Sequence, residues 1–355
     1  MRKLWAVASI LTIVAVSACN KATPTSGSDD PSTLQQSVIK DFTNNVALTG
    51  YANLNSAAVS LSQAISTLNT TPTDANLQAA QASWKNIRTT WEQCEGFLFG
   101  PVEDNFYDPN TDTWPTAFSQ MDSLLASTNQ LQVSDVALLT QTLRGYHPIE
   151  YLIFGKDGSK TAAQLTARQK QYLVSLAADM LYNNIQPLYQ SWTAAPTNYA
   201  QQVLTAGNGS KGFVKQQDLF LTLVASMSDI CNEVGASKMK APFDAKDPSI
   251  TESPYSGNTL TDFKNNIISL QNVYLGLNGG KGIKDLVASK NKNLDNQLQA
   301  QITAAINSFN NITETYEKAI IDQRPQVQTV MTQLATLKGL LDNDLTSFIK
   351  TNIQN

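Results

Sequence analysis

A single histidine occurs in 355 residues, and that scarcity bounds the chemistry more tightly than any other feature of the composition. Zinc sites built on two or three imidazoles, including the HExxH helix and the finger patterns, cannot be assembled from it, so any metal bound here leans on carboxylates. Three cysteines, Cys19, Cys94 and Cys231, are too few for a disulfide framework. Charge is sparse as well. Only 15% of residues are Asp, Glu, Lys or Arg, with 25 basic against 29 acidic and a formal net charge of −4. No basic run interleaved with aromatics appears, which argues against nucleic acid as a partner. A GxSxG elbow, a GK[ST] phosphate loop and a dinucleotide fingerprint are all missing, and Gly279-Gly280-Lys281-Gly282 has the spacing of none of them. What is present is a globular composition, 42% hydrophobic, in a chain longer than one core usually serves.

The start of the chain reads as a secretory leader, residues 1–19, with Arg2 and Lys3 ahead of an apolar run from Leu4 to Val16 that is too short to span a bilayer. Val16-Ser17-Ala18-Cys19 resembles the bacterial lipobox, which implies cleavage before Cys19 and lipidation of that residue. An ordinary leader followed by an incidental cysteine is the alternative. The expectation is a protein anchored to a membrane through Cys19, in the cell envelope. Asn20 is compatible with sorting to the outer membrane, on its periplasmic or cell-surface side. Residues 20–31, rich in Ser, Thr, Pro and Asp, form a tether that cannot bury a core. Cys94 and Cys231 then remain, as one disulfide or as two buried free thiols. Both fall inside helical patterns, which favours free thiols.

From Pro31 onward apolar residues recur at three- and four-residue steps, so the expected fold class is all-α. Thr73, Ser134 and Thr161 are candidate N-caps, and Pro148 and Pro325 suit a first helical position. A helix is expected over 134–144, another over 293–321, and a long connector over 235–258, where three prolines and two glycines interrupt the pattern. Three segments repeat in order. Asp41 to Val46 matches Asp262 to Ile267, Trp84 to Glu92 matches Phe309 to Glu317, and Thr142 to Gly145 matches Thr336 to Gly339. The reading is an internal duplication: two four-helix-bundle-like domains, 32–200 and 201–355, with an insertion in the first copy around 99–126.

Residues that differ between the copies are the candidates for function. After the shared glycine the first copy reads Tyr146-His147-Pro148-Ile149-Glu150, the second Leu340-Leu341-Asp342-Asn343-Asp344. His147 and Glu150 are three apart and could offer a nitrogen and an oxygen to one metal. The competing account is a helix start, with His147 as N-cap and Glu150 favourable to the first-turn amides. Trp84, Arg88, Trp91, Glu92 and Glu95 share one helical face, where Arg88 and two carboxylates sit among tryptophans. The copy has Thr313 for Arg88 and Ile320 for Glu95. A solvated Arg88–Glu92 pair would explain the spacing, but the tryptophans argue that the face is covered. Asp108 to Thr113 begins like a calcium loop but lacks its glycine and its closing Glu, so it reads as a solvated acidic loop, or else as a lid.

Taken together, Gly145-Tyr146-His147-Pro148-Ile149-Glu150 (GxHxxE), the stripe from Trp84 to Glu95, Phe99-Gly100-Pro101, Trp114-Pro115, and Glu252-Ser253-Pro254-Tyr255-Ser256 ahead of Asp262-Phe263 resemble the imelysin family of bacterial lipoproteins. The resemblance covers nearly the whole mature chain. It implies a site around GxHxxE where two bundles meet, and an association with iron acquisition. His147, Glu150 and Glu95 are then the expected metal donors, and Arg88, Trp91, Glu92, Gly145, Glu252, Ser253, Tyr255 and Ser256 the expected ligand-binding residues. The first functional reading is a lipid-anchored protein that binds iron, another divalent metal or a small molecule there, with a protein of an iron-uptake system as a further partner. A metallopeptidase is the second, in line with the family's peptidase label, and a structural or adhesion module the third.

Overall fold

The computed structural model describes residues 31–353; the leader, Cys19 and nearly all of the tether lie outside the described residues. Every regular element among them is helical, and no strand occurs. Helix α1 (31–70) runs unbroken through a π-helical stretch at Phe42–Leu48 and turns back into α2 (Asp74–Glu92). Thr73 starts α2 as expected, its hydroxyl accepting the Asn76 amide at 3.2 Å. The face of α2 that carries Leu77, Ala80, Trp84, Ile87 and Trp91 is buried against α1, and Arg88 and Glu92 are buried with it. After several short turns come α3 (Tyr146–Phe154) and α4 (167–193), the latter opened by a reciprocal Thr166–Gln169 cap. The later part of the chain forms α5 (Gln216–Ala245), α6 (Thr259–Leu275), α7 (Lys292–Ser308) and α8 (324–352). α5 is long and apolar enough to cross a membrane, yet just over half of its most apolar stretch is packed inside the protein.

The two parts of the chain meet where α6 lies against α2 and against the 3₁₀ turn Glu95–Phe97 that follows it. The Gly96 amide donates to Ser269 Oγ at 2.7 Å, and Gln93 to Asn265 at 2.7 Å. The charged face of α2 therefore points into this junction. Cys94 and Cys231 are both buried and free.

Several expectations need correction. The helix expected over 134–144 is only the turns Val133–Val136 and Gln141–Leu143, because Leu138 points to solvent and its place in the apolar period has nothing to pack on. The helix expected over 293–321 breaks after the 3₁₀ turn Phe309–Asn311 and restarts at Tyr316. The connector expected from residue 235 starts late: α5 continues through a π-helical turn, Glu233–Lys238, to Ala245. Gly235 is there for proximity, not as a stop, since a β-carbon on it would stand 3.1 Å from Leu334 of α8. The paired segments also differ in backbone. Trp84 to Glu92 is helix whereas 309–317 is largely not, and Gly145 has φ +78° whereas Gly339 lies within α8.

Candidate functional site

Arg88 is fully buried and stands at the centre of four carboxylates. Its terminal nitrogens bond Glu92, one turn on, and Asp112; Nη2 also reaches Glu252 Oε1 at 3.3 Å, and Nε lies 3.7 Å from Asp262 Oδ1. The Tyr146 ring lies beneath the guanidinium, 4.9 Å from its carbon. Trp91 Nε1 donates to Asp112 Oδ2 at 2.9 Å, and Trp84 Nε1 to the Tyr146 carbonyl at 2.9 Å. The two tryptophans of the stripe thus hold the partners of the charged residues between them.

His147 joins this centre from α3. Gly145 precedes the helix and Tyr146 opens it, so His147 is inside the first turn and does not cap it; the capping account fails. Its ring, edge-on to Trp114 at 5.0 Å, is fully buried, and neither nitrogen has a hydrogen-bond partner that satisfies distance and angle. Nε2 faces Asp112 Oδ1 at 3.1 Å and Glu252 Oε1 at 3.8 Å, while Nδ1 faces Glu150 Oε2 at 3.8 Å. The two nitrogens of an imidazole diverge, so Glu150 sits on the opposite edge from Asp112 and Glu252. Glu150 Oε1 accepts the Tyr255 and Ser256 amides at 3.1 and 2.8 Å and the Ser256 hydroxyl at 2.7 Å. Ser253 Oγ donates to Asp262 at 2.6 Å, and the same loop is held at its ends by Glu317, which accepts from Thr251 and Thr259.

The expected metal trio does not assemble as one group. His147 and Glu150 meet, but the donors within reach of one another are Asp112, His147 and Glu252, and, separately, Glu92, Glu95 and Asp112. Asp112 belongs to both sets. It lies in the segment read from sequence as a solvated loop; instead Thr111 and Asp112 are buried. Asp262, classed with the shared scaffold, and Lys238, whose Nζ bonds Glu252 at 3.1 Å and Glu233 at 2.9 Å, also belong to the centre.

Charge is unbalanced here. Buried Glu92, Glu95, Asp112, Glu150, Glu252 and Asp262 face Arg88, Lys238 and His147. Burial, with the neighbouring carboxylates, holds Glu92 and Glu95 well above the usual carboxylate range, against the pull of Arg88 on Glu92 and of Lys238 on Glu95. Burial also lifts Asp262 to about 6 although Arg88 opposes it, and lifts Asp108 to about 7 with help from Asp112. Asp112 goes the other way: burial raises it, but Arg88 and His147 together hold it far below the usual range. Burial alone would pull His147 down, and Asp112 and Glu150 outweigh it, pushing the imidazole up to about 9. A metal ion fits this donor set. One imidazole nitrogen and two carboxylates converge, neither imidazole nitrogen makes a well-aligned hydrogen bond, and a cation here would take over the balancing that the His147 proton otherwise supplies.

The family model described as imelysin matches residues 47–343. The chain belongs to the imelysin family. Iron-regulated protein A of Synechococcus elongatus is 28% identical to it over 320 residues, covering 88% of this chain and 86% of the relative. The crystal structure of a protein designated an iron-regulated protein A precursor, from Parabacteroides distasonis, superposes with a TM-score of 0.80 at 24% identity, over 93% of this chain and 97% of that one. An imelysin-like protein from Psychrobacter arcticum gives a TM-score of 0.70 at 13% identity, over 90% and 96% of the two chains. These two structures bear on the fold alone, and both agree with the all-α architecture.

Proposed function

We propose that this imelysin-family chain is a lipid-anchored, extracytoplasmic binding protein whose buried centre holds a divalent metal, iron first among them, on His147 Nε2, Asp112 and Glu252, in the service of iron uptake. The observation that carries this reading is the unsatisfied imidazole of His147 facing two carboxylates inside an anionic, buried cluster. The name of the cyanobacterial relative supports iron as the metal to test first. Glu150 would act at one remove, fixing the imidazole from its far edge and tying α3 to the 251–258 loop. The bound ion would take the place of the proton that the His147 imidazole otherwise holds.

The peptidase reading is less favoured. His147 is fully buried, so a peptide bond does not reach it without an opening of the junction, and one oxygen of the Glu150 carboxylate is already spent on the Tyr255 and Ser256 amides.

Calorimetric titration with Fe(II), Mn(II) and Zn(II) tests the reading. Micromolar or tighter binding, weakened at least ten-fold in His147→Ala and in Asp112→Asn, is expected; no binding by the wild type would overturn it. Anchoring is tested apart from this, by Cys19→Ser, which is expected to move the protein from the membrane to the soluble fraction.

A further inference from the structure

Outside the buried centre, a cavity of about 400 Å³ opens between the 95–109 segment and α5. Five carboxylates line it: Glu95, Glu103, Asp108, Asp229 and Glu233. Glu103, Asp229 and Glu233 are exposed at its mouth, Asp108 is partly buried, and Glu95 is 5% exposed. Leu98 and Ile230 form part of the wall, so the carboxylates are set in a low-dielectric surround that strengthens their pull on a cation.

An acidic hollow alone is commonplace. The second observation is Glu95 itself. No hydrogen bond or contact ion pair reaches its carboxylate among the described residues: Arg88 and His147 bond the neighbouring acids, and Lys238, which pulls on Glu95 from further off, is in contact with Glu233 and Glu252. The backbone turn that carries Glu95 is fixed to α6 through the Gly96 amide and Ser269. The little of Glu95 that is not buried faces the cavity, so only what enters the cavity can complete its carboxylate. Glu95 lines the cavity on one side and on the other lies within donor reach of Glu92 and Asp112.

We propose that Glu95 and Asp108 form the floor of a second, outer cation site, with Glu103, Asp229 and Glu233 at its mouth, that takes hard divalent ions from solvent and stands one carboxylate away from the His147 centre. An all-oxygen donor set of this kind suits Mn(II), Fe(II), Mg(II) or Ca(II) over thiolate-seeking metals. The site stands on the cavity and on Glu95, and does not require the inner centre to be filled.

The test is titration of the full chain, in detergent, with Mn(II), the free ion being counted by electron paramagnetic resonance. Wild type is expected to bind two classes of ion. Glu95→Gln should lose one class, with at least a ten-fold fall in affinity, Asp229→Asn should weaken that class a few-fold, and His147→Ala should leave it in place. Glu95→Gln replaces the carboxyl with a neutral group of the same shape, so its melting temperature without metal should stay close to wild type while the rise on adding Mn(II) shrinks. Unchanged binding in Glu95→Gln would overturn the proposal. If Glu95→Gln fails to fold, unchanged binding in the surface variant Asp229→Asn would do the same. Binding abolished by His147→Ala yet untouched by Glu95→Gln would leave only the inner site; the reverse pattern would leave only the outer one.

Discussion

The carbonyl of Thr111 lies directly over the α-carbon of Gly145, so closely that a β-carbon there would stand 2.0 Å from the carbonyl oxygen. Gly145 also has φ +78°, where side chains are strained. The contact explains the glycine of GxHxxE: it lets the insertion press its backbone onto the start of α3, which sets Asp112 beside His147. Gly145→Ala is expected to destabilise by about 2 kcal/mol or more, from the clash and the strained φ together. It should also redshift the emission of Trp91 and Trp114 as the segment lifts. A stability within error of wild type in urea unfolding would contradict this account.

Arg88 is the counter-charge that Glu92, Asp112, Glu252 and Asp262 share, and its removal leaves these buried acids with Lys238 and His147 as the remaining cations. Arg88→Met should cost about 3–5 kcal/mol, the range for breaking a buried ion pair by deleting one partner. Adding Asp112→Asn and Glu92→Gln to that variant should restore part of the loss, because the ionised partner of Arg88 is then gone and the second acid is replaced by a neutral amide. Chemical denaturation of the single and triple variants measures both. A single variant that loses under 1 kcal/mol would show the cluster to be protonated and self-sufficient.

Much of this was legible in the sequence, for identifiable reasons. The three- and four-residue apolar period yields α1, α2, α4 and α8 because each buries a broad face. Tryptophans flanking Arg88 signalled that the stripe was covered, and it is. Asp112 was not legible, since local composition marks 108–113 as polar, and what buries it is long-range: Thr111 pressed onto Gly145, and Arg88, Trp91 and His147 around its carboxylate. Asp262 was hidden by its resemblance to Asp41, which instead accepts the Lys281 amide far from the centre. Glycine misled at 235, where close helix packing and a terminated helix leave the same mark in sequence.

Glu150 clamps the 251–258 loop through two backbone amides and one hydroxyl. Glu150→Ala should leave those amides buried without acceptors, costing about 2–4 kcal/mol. Glu150→Gln keeps a carbonyl acceptor and should cost less. Hydrogen exchange at Tyr255 and Ser256 separates the two: strong protection in wild type, intermediate in Glu150→Gln, lost in Glu150→Ala. Equal protection in all three would mean that the loop is held from Glu317 alone.

His147 makes the stability of the fold depend on pH in a defined window. Its folded pKa, about 9, lies above the unfolded value near 6.5, so the folded protein holds the proton more tightly than the unfolded chain does. The stabilisation is therefore complete below about pH 6.5 and is lost as the pH rises through about 9. Two and a half pK units correspond to about 3 kcal/mol. His147→Gln cannot take up that proton, so the gap between wild type and variant should be widest at pH 6 and shrink by roughly that amount by pH 10. Urea unfolding of the metal-free pair across this range reads the gap directly. A gap constant over the window would mean that the imidazole is neutral in the folded protein, with Asp112 satisfied by Arg88 and Trp91 alone.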